Sequence, residues 1–178
     1  ARYIRMYGTA RNTKYGYSLF EIEAYGQKAN ASQSIALQKG WNLISTNVWP
    51  TDSSIATLFN GLDVQEIKDM NSFWRKGQGD EFNSLKTITA GEGYLVNMNA
   101  VGTLIIQGVT LSHPLNAKKE TGWQLIGCPY QSSTPFSQDF DATNCSAIKN
   151  FEGFWMPDET NNSIQYLESG KGYFVRGK

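Results

Sequence analysis

The chain contains a single histidine, His113, followed directly by Pro114. A Ser–His–Asp triad or a histidine-based metal site would have to be assembled around it, and neither Gly-x-Ser-x-Gly nor His-Glu-x-x-His spacing is present nearby. His113 therefore reads as an ordinary residue of a connecting segment. Glycoside hydrolysis needs no histidine, only two carboxylates, and Asp80-Glu81, Glu92, Asp158-Glu159 and Glu168 supply acids. Asp80-Glu81 and Asp158-Glu159 fall in expected turns, where solvated acids are ordinary. A catalytic pair instead needs a cleft that shifts one of its pKa values. No catalytic residue, metal-ligand set or cofactor is expected.

Aromatic side chains are the remaining candidates. A sugar has an apolar face and a rim of hydroxyls, so it is bound by a flat ring beneath and by Asn, Asp, Arg or Lys at the edge. Covering one sugar face removes about 50–80 Å² from water, worth about 1–2 kcal/mol, so two platforms give about millimolar binding. Trp49, beside Asn47, Pro50 and Asp52, has no aromatic counterpart later in the chain and is the first choice for an exposed platform, with Asn47 at its rim. Tyr130 is the nearest alternative in the second half. Trp74, followed by Arg75-Lys76, and Trp155, followed by Met156-Pro157-Asp158, read as either core or ligand-facing, with Arg75 as a rim donor. Trp41, Trp123, Tyr94 and Tyr173, flanked by apolar residues, are expected in the core.

These positions belong to an internal duplication between about Ile35 and the C-terminal end. Gly40-Trp41-Asn42-Leu43-Ile44-Ser45 is answered by Gly122-Trp123-Gln124-Leu125-Ile126-Gly127, with Pro50 and Pro129 following. Ile67-Lys68-Asp69 with Phe73-Trp74 is answered at the same internal spacing by Ile148-Lys149-Asn150 with Phe154-Trp155. Gly91-Glu92-Gly93-Tyr94-Leu95-Val96 is answered by Gly170-Lys171-Gly172-Tyr173-Phe174-Val175. In the first copy, Thr51, Asp52 and Ser53 precede Ile55, Leu58, Phe59 and Leu62, a spacing that predicts a short helix ending near Gly61. Strands are predicted at 41–46, 64–70, 72–75, 85–88, 93–98, 103–109, 123–127, 146–150, 153–156, 164–167 and 172–176, with a hairpin tip at Gly77-Gln78-Gly79-Asp80.

Composition sets the outer bounds. Sixteen basic residues balance sixteen acidic ones, so nothing suggests the clustered positive charge that nucleic acid requires. No stretch approaches the roughly 18 apolar residues of a membrane span. Cys128 and Cys145 either close a disulfide in an exported protein or are two small buried thiols.

Residues 1–26 stand outside the duplication and read as two strands around a polar turn. Arg2-Tyr3-Ile4-Arg5, Gly8-Thr9-Ala10-Arg11 and Tyr15-Gly16-Tyr17-Ser18-Leu19-Phe20-Glu21 resemble the C-terminal end of discoidin-like (coagulation factor 5/8 type C) carbohydrate-binding modules of bacterial glycoside hydrolases. The resemblance covers the last two strands of that β-sandwich. It implies a calcium-binding role at Glu21, but calcium takes about six to eight oxygen ligands, so an incomplete site and no bound metal are expected. The duplicated part resembles the Gly-Trp-Asn-Leu-Ile-Ser repeats found near the C-terminal ends of secreted, multi-modular bacterial surface proteins and polysaccharide-degrading enzymes.

The expected fold is mainly β. A β-hairpin remnant of a β-sandwich (1–26) and a linker (27–34) precede two similar β-rich repeats (35–110 and 111–178), each with one short helix, packed as a pseudo-twofold unit. The expected function is that of a non-catalytic carbohydrate-binding accessory module, secreted or at the cell surface. Its partners would be a polysaccharide or oligosaccharide and a covalently linked catalytic domain upstream. The alternative is a structural or adhesive cell-surface repeat; hydrolase activity is third, and would require two acids facing one cleft at roughly 5–9.5 Å.

Overall fold

The computed structural model describes residues 30–111 and 121–178, together with residues 7, 9, 10, 14 and 15. The expected hairpin over 1–26, Glu21 and His113 lie outside the described residues, apart from those five positions. The chain is mainly β. Its elements are β1 (Asn30–Leu37), β2 (Gly40–Ser45), β3 (Val48–Pro50), α1 (Ile55–Leu58), β4 (Val64–Lys68), β5 (Phe73–Arg75), β6 (Gly93–Met98) and β7 (Gly102–Thr110). They continue with β8 (Gly122–Gly127), β9 (Thr134–Pro135), β10 (Cys145–Lys149), β11 (Phe154–Trp155), β12 (Tyr166–Leu167) and β13 (Gly172–Gly177). Single 3-10 turns occupy Asp80–Phe82 and Phe136–Gln138.

Two antiparallel four-stranded sheets have the orders β2-β6-β4-β5 and β8-β13-β10-β11. A three-stranded sheet, β1-β7-β3, closes over the first of them. Its inward residues Ile35, Leu37, Leu104 and Ile106 share one core with Val64, Ile67, Tyr94, Val96 and Met98. The second core is smaller: Ile148, Tyr173 and Val175 of the sheet pack with Phe136, Phe140 and Leu167.

β1 starts at Asn30, within the segment that composition assigns to a linker. Its polar look hides a period of two: Gln33, Ile35 and Leu37 are all buried while Ser32, Ser34 and Ala36 are exposed. Gln33 tolerates burial because its side chain is bonded, accepting from the Thr46 hydroxyl (2.8 Å) and donating to Ser169 Oγ (3.0 Å).

The predicted helix is one turn, Ile55–Leu58, rather than the eight residues its apolar spacing suggests. Phe59 and Leu62 still face the core, through a turn closed by the Leu62 N–H to the Phe59 carbonyl (3.0 Å). Among the described residues of the second half, the 3-10 turn at Phe136–Gln138 is what corresponds to the expected helix.

No strand forms over the predicted 85–88, although Leu85 and Ile88 are buried. Side chains replace the ladder there: Phe73 N–H donates to Ser84 Oγ (3.0 Å) and Arg75 N–H to Asn83 Oδ1 (2.9 Å). The same substitution occurs in the second half, where Phe154 N–H donates to Ser163 Oγ (3.0 Å) and Met156 N–H to Asn162 Oδ1 (2.8 Å). An Asn-Ser pair after each β5-type strand therefore satisfies backbone donors that a regular sheet would pair.

Cys128 and Cys145 are free and fully buried. Burial pushes both thiols up, Cys128 to about 11 from its ordinary 9.0. The unfolded chain releases the Cys128 proton near pH 9, while the folded chain holds it until about pH 11. Stability is therefore full below pH 9 and falls across that window, by about 2–3 kcal/mol for this group. Urea unfolding at pH 8 and pH 10.5 is expected to show this loss, with a smaller pH difference in Cys128→Ala; equal pH differences in both proteins would rule out the thiol as its source.

Candidate ligand-binding clefts

The six residues singled out from the sequence are not gathered in one place. Trp49 lies on β3, opposite Val109 of β7, and is 41% exposed. Trp74 pairs with Ile67, and this register turns its indole onto the first core, half-buried. Arg75, on the other face, is an exposed side chain paired with Glu66 at 2.9 Å. Trp155 packs on the second core, its ring centroid 4.8 Å from that of Phe136.

Asn47 is a correction. It is only 2% exposed, and its amide donates to the Tyr130 carbonyl (2.5 Å) and to Ser169 Oγ (2.8 Å). It bridges the two halves instead of standing at the rim of Trp49. Tyr130 is half-buried beside it and donates its hydroxyl to Asp139 (2.7 Å). Burial first, and then that hydrogen bond, holds its phenol above the usual range.

Trp41 and Trp123 are also corrected. Expected in the core, they are 43% and 41% exposed. Along a strand, residues an odd number apart point to opposite faces. Ile44 and Ile126 turn inward, so Trp41 and Trp123, three residues earlier, turn outward. Each carries a lysine ammonium over its ring, Lys68 at 5.4 Å from the Trp41 centroid and Lys149 at 4.6 Å from that of Trp123. Tyr94 and Tyr173 are buried as expected. Their hydroxyls accept from the N–H groups of Thr89 (2.9 Å) and Glu168 (2.8 Å).

The two exposed indoles border two clefts at the junction of the halves. The larger, about 730 Å³, lies between Trp123-Gln124-Leu125 of β8 and the turn Asp69-Met70-Asn71 that joins β4 to β5. The smaller, about 460 Å³, lies between Trp41-Asn42-Leu43 of β2 and the turn Asn150-Phe151-Glu152 that joins β10 to β11. Each cleft thus takes a strand from one half and a turn from the other. Both turns are built alike: Asp69 Oδ1 accepts the N–H groups of Asn71 (2.7 Å) and Ser72 (2.6 Å), and Asn150 Oδ1 those of Glu152 (2.8 Å) and Gly153 (2.9 Å). The bends leave an apolar side chain in the open on each wall, Met70 at 45% and Phe151 at 58% exposure.

The clefts differ in charge. Three carboxylates, Asp69, Glu92 and Asp139, line the larger, and the Lys149 ammonium lies over its Trp123 ring. The smaller holds Lys171 and Glu152, whose charged atoms lie 2.5 Å apart. Lys171 also pairs with Glu168 at 3.3 Å, and the hydrogen bond to Glu152, more than any other contact, holds its ammonium above the usual range.

The junction itself is a backbone contact made twice. Ser45 N–H donates to the Gly170 carbonyl (3.0 Å), and Gly127 N–H to the Gly91 carbonyl (2.8 Å). Gly91 and Gly170 have φ of 85° and 89°, which a side chain would disfavour. Isolated bridges join Ile44 to Lys171 and Ile126 to Glu92. Comparison with protein-family models, curated proteins and solved structures found no match for this chain.

Proposed function

We propose that the chain is a non-catalytic carbohydrate-binding accessory module of a secreted or surface-attached polysaccharide-degrading enzyme, linked to a catalytic domain upstream. It is built from two copies of one unit about an approximate twofold axis. The doubled strand order, the doubled Asn-Ser ladder replacement and the doubled backbone contact at the junction support the duplication. The observation that carries the function is Trp123, an exposed indole bordering a cleft whose other residues are rich in hydroxyl, amide and carboxylate groups. A ring beside hydrogen-bonding groups suits the two-sided chemistry of a sugar. Trp49 remains a flat platform on a sheet edge.

Three acids line the larger cleft, yet two of them already serve the fold. Asp69 holds the β4–β5 turn, and Asp139 accepts the Tyr130 hydroxyl. This supports binding over hydrolysis. The packing of Trp74 and Trp155 onto the cores favours the structural-repeat reading for those two residues alone.

Affinity electrophoresis through gels containing plant, algal and microbial polysaccharides tests the reading. Retardation by at least one neutral glycan is expected, with affinity about tenfold weaker in Trp123→Ala, the equivalent of about 1.4 kcal/mol. Trp49→Ala, run in parallel, measures the edge platform. Migration unaffected by every polysaccharide would leave a structural or adhesive repeat as the better account.

A further inference from the structure

The two junction clefts are not independent accidents of the surface. Each joins a Trp-x-Leu strand of one half to a turn of the other, and each sets an exposed indole across from an exposed apolar turn residue, Trp123 with Met70 and Trp41 with Phe151. We propose that they are two saccharide sites on one chain, and that they differ in selectivity: the Trp123 cleft takes uncharged sugar units, whereas the Trp41 cleft accepts uncharged or acidic ones. This rests on the carbohydrate-binding reading above.

The selectivity follows from charge. A sugar carboxylate in the Trp123 cleft would meet three carboxylates, Asp69, Glu92 and Asp139, against one cation, the Lys149 ammonium over the Trp123 ring. Like charges in a partly desolvated site disfavour binding, the more so at low salt. Sugar hydroxyls, by contrast, donate to carboxylates without such a penalty. In the Trp41 cleft two ammonium groups, Lys171 and the Lys68 that lies over the Trp41 ring, stand against Glu152 and Glu168, so the balance of charge is less hostile to an acidic sugar there.

Two sites on one chain also act together. Each is weak alone, but one polysaccharide chain that reaches both is held with a raised effective concentration at the second. Long glycans should then bind more tightly than short ones that occupy a single cleft.

The five tryptophans give five indole N–H signals in a proton–nitrogen NMR spectrum, assigned through Trp→Phe variants, and the whole 178-residue chain is titrated. The probes are neutral glucan and mannan pentasaccharides and a galacturonate pentasaccharide. With a neutral probe that binds, the Trp41 and Trp123 signals are expected to move with separate millimolar dissociation constants. Met70→Ala should weaken binding read at the Trp123 signal and leave the Trp41 curve unchanged. The galacturonate probe is expected to move Trp41 alone, or to bind at Trp123 at least about threefold more weakly, the gap widening as salt is lowered. With the neutral probes, shifts at only one of the two indoles, or at Trp49 alone, would overturn the paired sites while leaving carbohydrate binding in place. Equal uronate affinity in both clefts would overturn the charge selectivity. No shift with any probe would remove the binding reading and this inference together.

Discussion

Gly127→Ser is expected to lower stability by about 3 kcal/mol, or about 6–12 °C in Tm for a chain of this size, and much of that loss should return when Ser45→Gly is added. A Cβ at Gly127 would lie 2.4 Å from the Ser45 Cβ and 2.8 Å from the Glu92 carbonyl oxygen, distances no relaxed contact adopts. Ser45 occupies the space itself: its hydroxyl donates to the Lys171 carbonyl (2.7 Å) and accepts from the Cys128 N–H (3.1 Å). Ser45 and Gly127 end the two similar stretches Gly40–Ser45 and Gly122–Gly127. Where the two strands approach at the junction, only one of the two positions has room for a side chain. The double variant moves the serine from position 45 to position 127 and removes its closest clash, the one with the Ser45 Cβ. Thermal unfolding of the four proteins checks this, and recovery of less than half the single-variant loss would count against equivalent surroundings at the two positions. Gly93 and Gly172 mark the same close approach, since an added Cβ would lie 2.6 Å from the Ile126 carbonyl oxygen and 2.8 Å from that of Ile44.

That pair also shows what the sequence conveys and what it conceals. The difference between Gly40-Trp41-Asn42-Leu43-Ile44-Ser45 and Gly122-Trp123-Gln124-Leu125-Ile126-Gly127 looks like drift until the other copy is placed against it. Strands anchored by alternating apolar residues, such as β6 and β7, were legible because alternation is a local property. β1 was not, because its inward Gln33 is satisfied by Thr46 and Ser169, residues far along the chain. The Asn83-Ser84 and Asn162-Ser163 pairs recur plainly in the sequence, yet nothing local says that their side chains stand in for a strand.

The candidate site was less legible than the fold, for the same reason. Apolar neighbours on both sides made Trp41 and Trp123 look like core, but on a strand those neighbours point elsewhere. Counting three residues to Ile44 and Ile126 would have separated the faces, provided that the buried face was known. Asn47 erred in the opposite direction. Its polar company suggested a surface, whereas the polar groups around it, Tyr130, Ser169 and Gln33, are drawn together by folding from distant positions.

Asn47→Asp is the sharper probe of that junction. The substitution keeps shape and volume but removes both amide donors, leaving a carboxylate oxygen near the Tyr130 carbonyl that now accepts from the amide at 2.5 Å. An uncompensated buried charge costs about 3–5 kcal/mol, and the new carboxyl should respond by holding its proton well above the ordinary value near 3.9. The unfolded chain ionises first as pH rises, so the penalty is smallest near pH 4, grows through the raised folded pKa and is level above it. Asn47→Ala loses the same hydrogen bonds without adding charge, and its penalty should not vary with pH in this way. Urea unfolding of both variants and the parent at pH 4 and pH 7 separates the two effects, since only the Asp variant should gain on acidification relative to the parent. A penalty below about 1 kcal/mol at both pH values would mean that position 47 is solvated. Loss of glycan retardation in an Asn47→Ala protein of undiminished stability would return this residue to the sugar-contact role its sequence neighbours suggest.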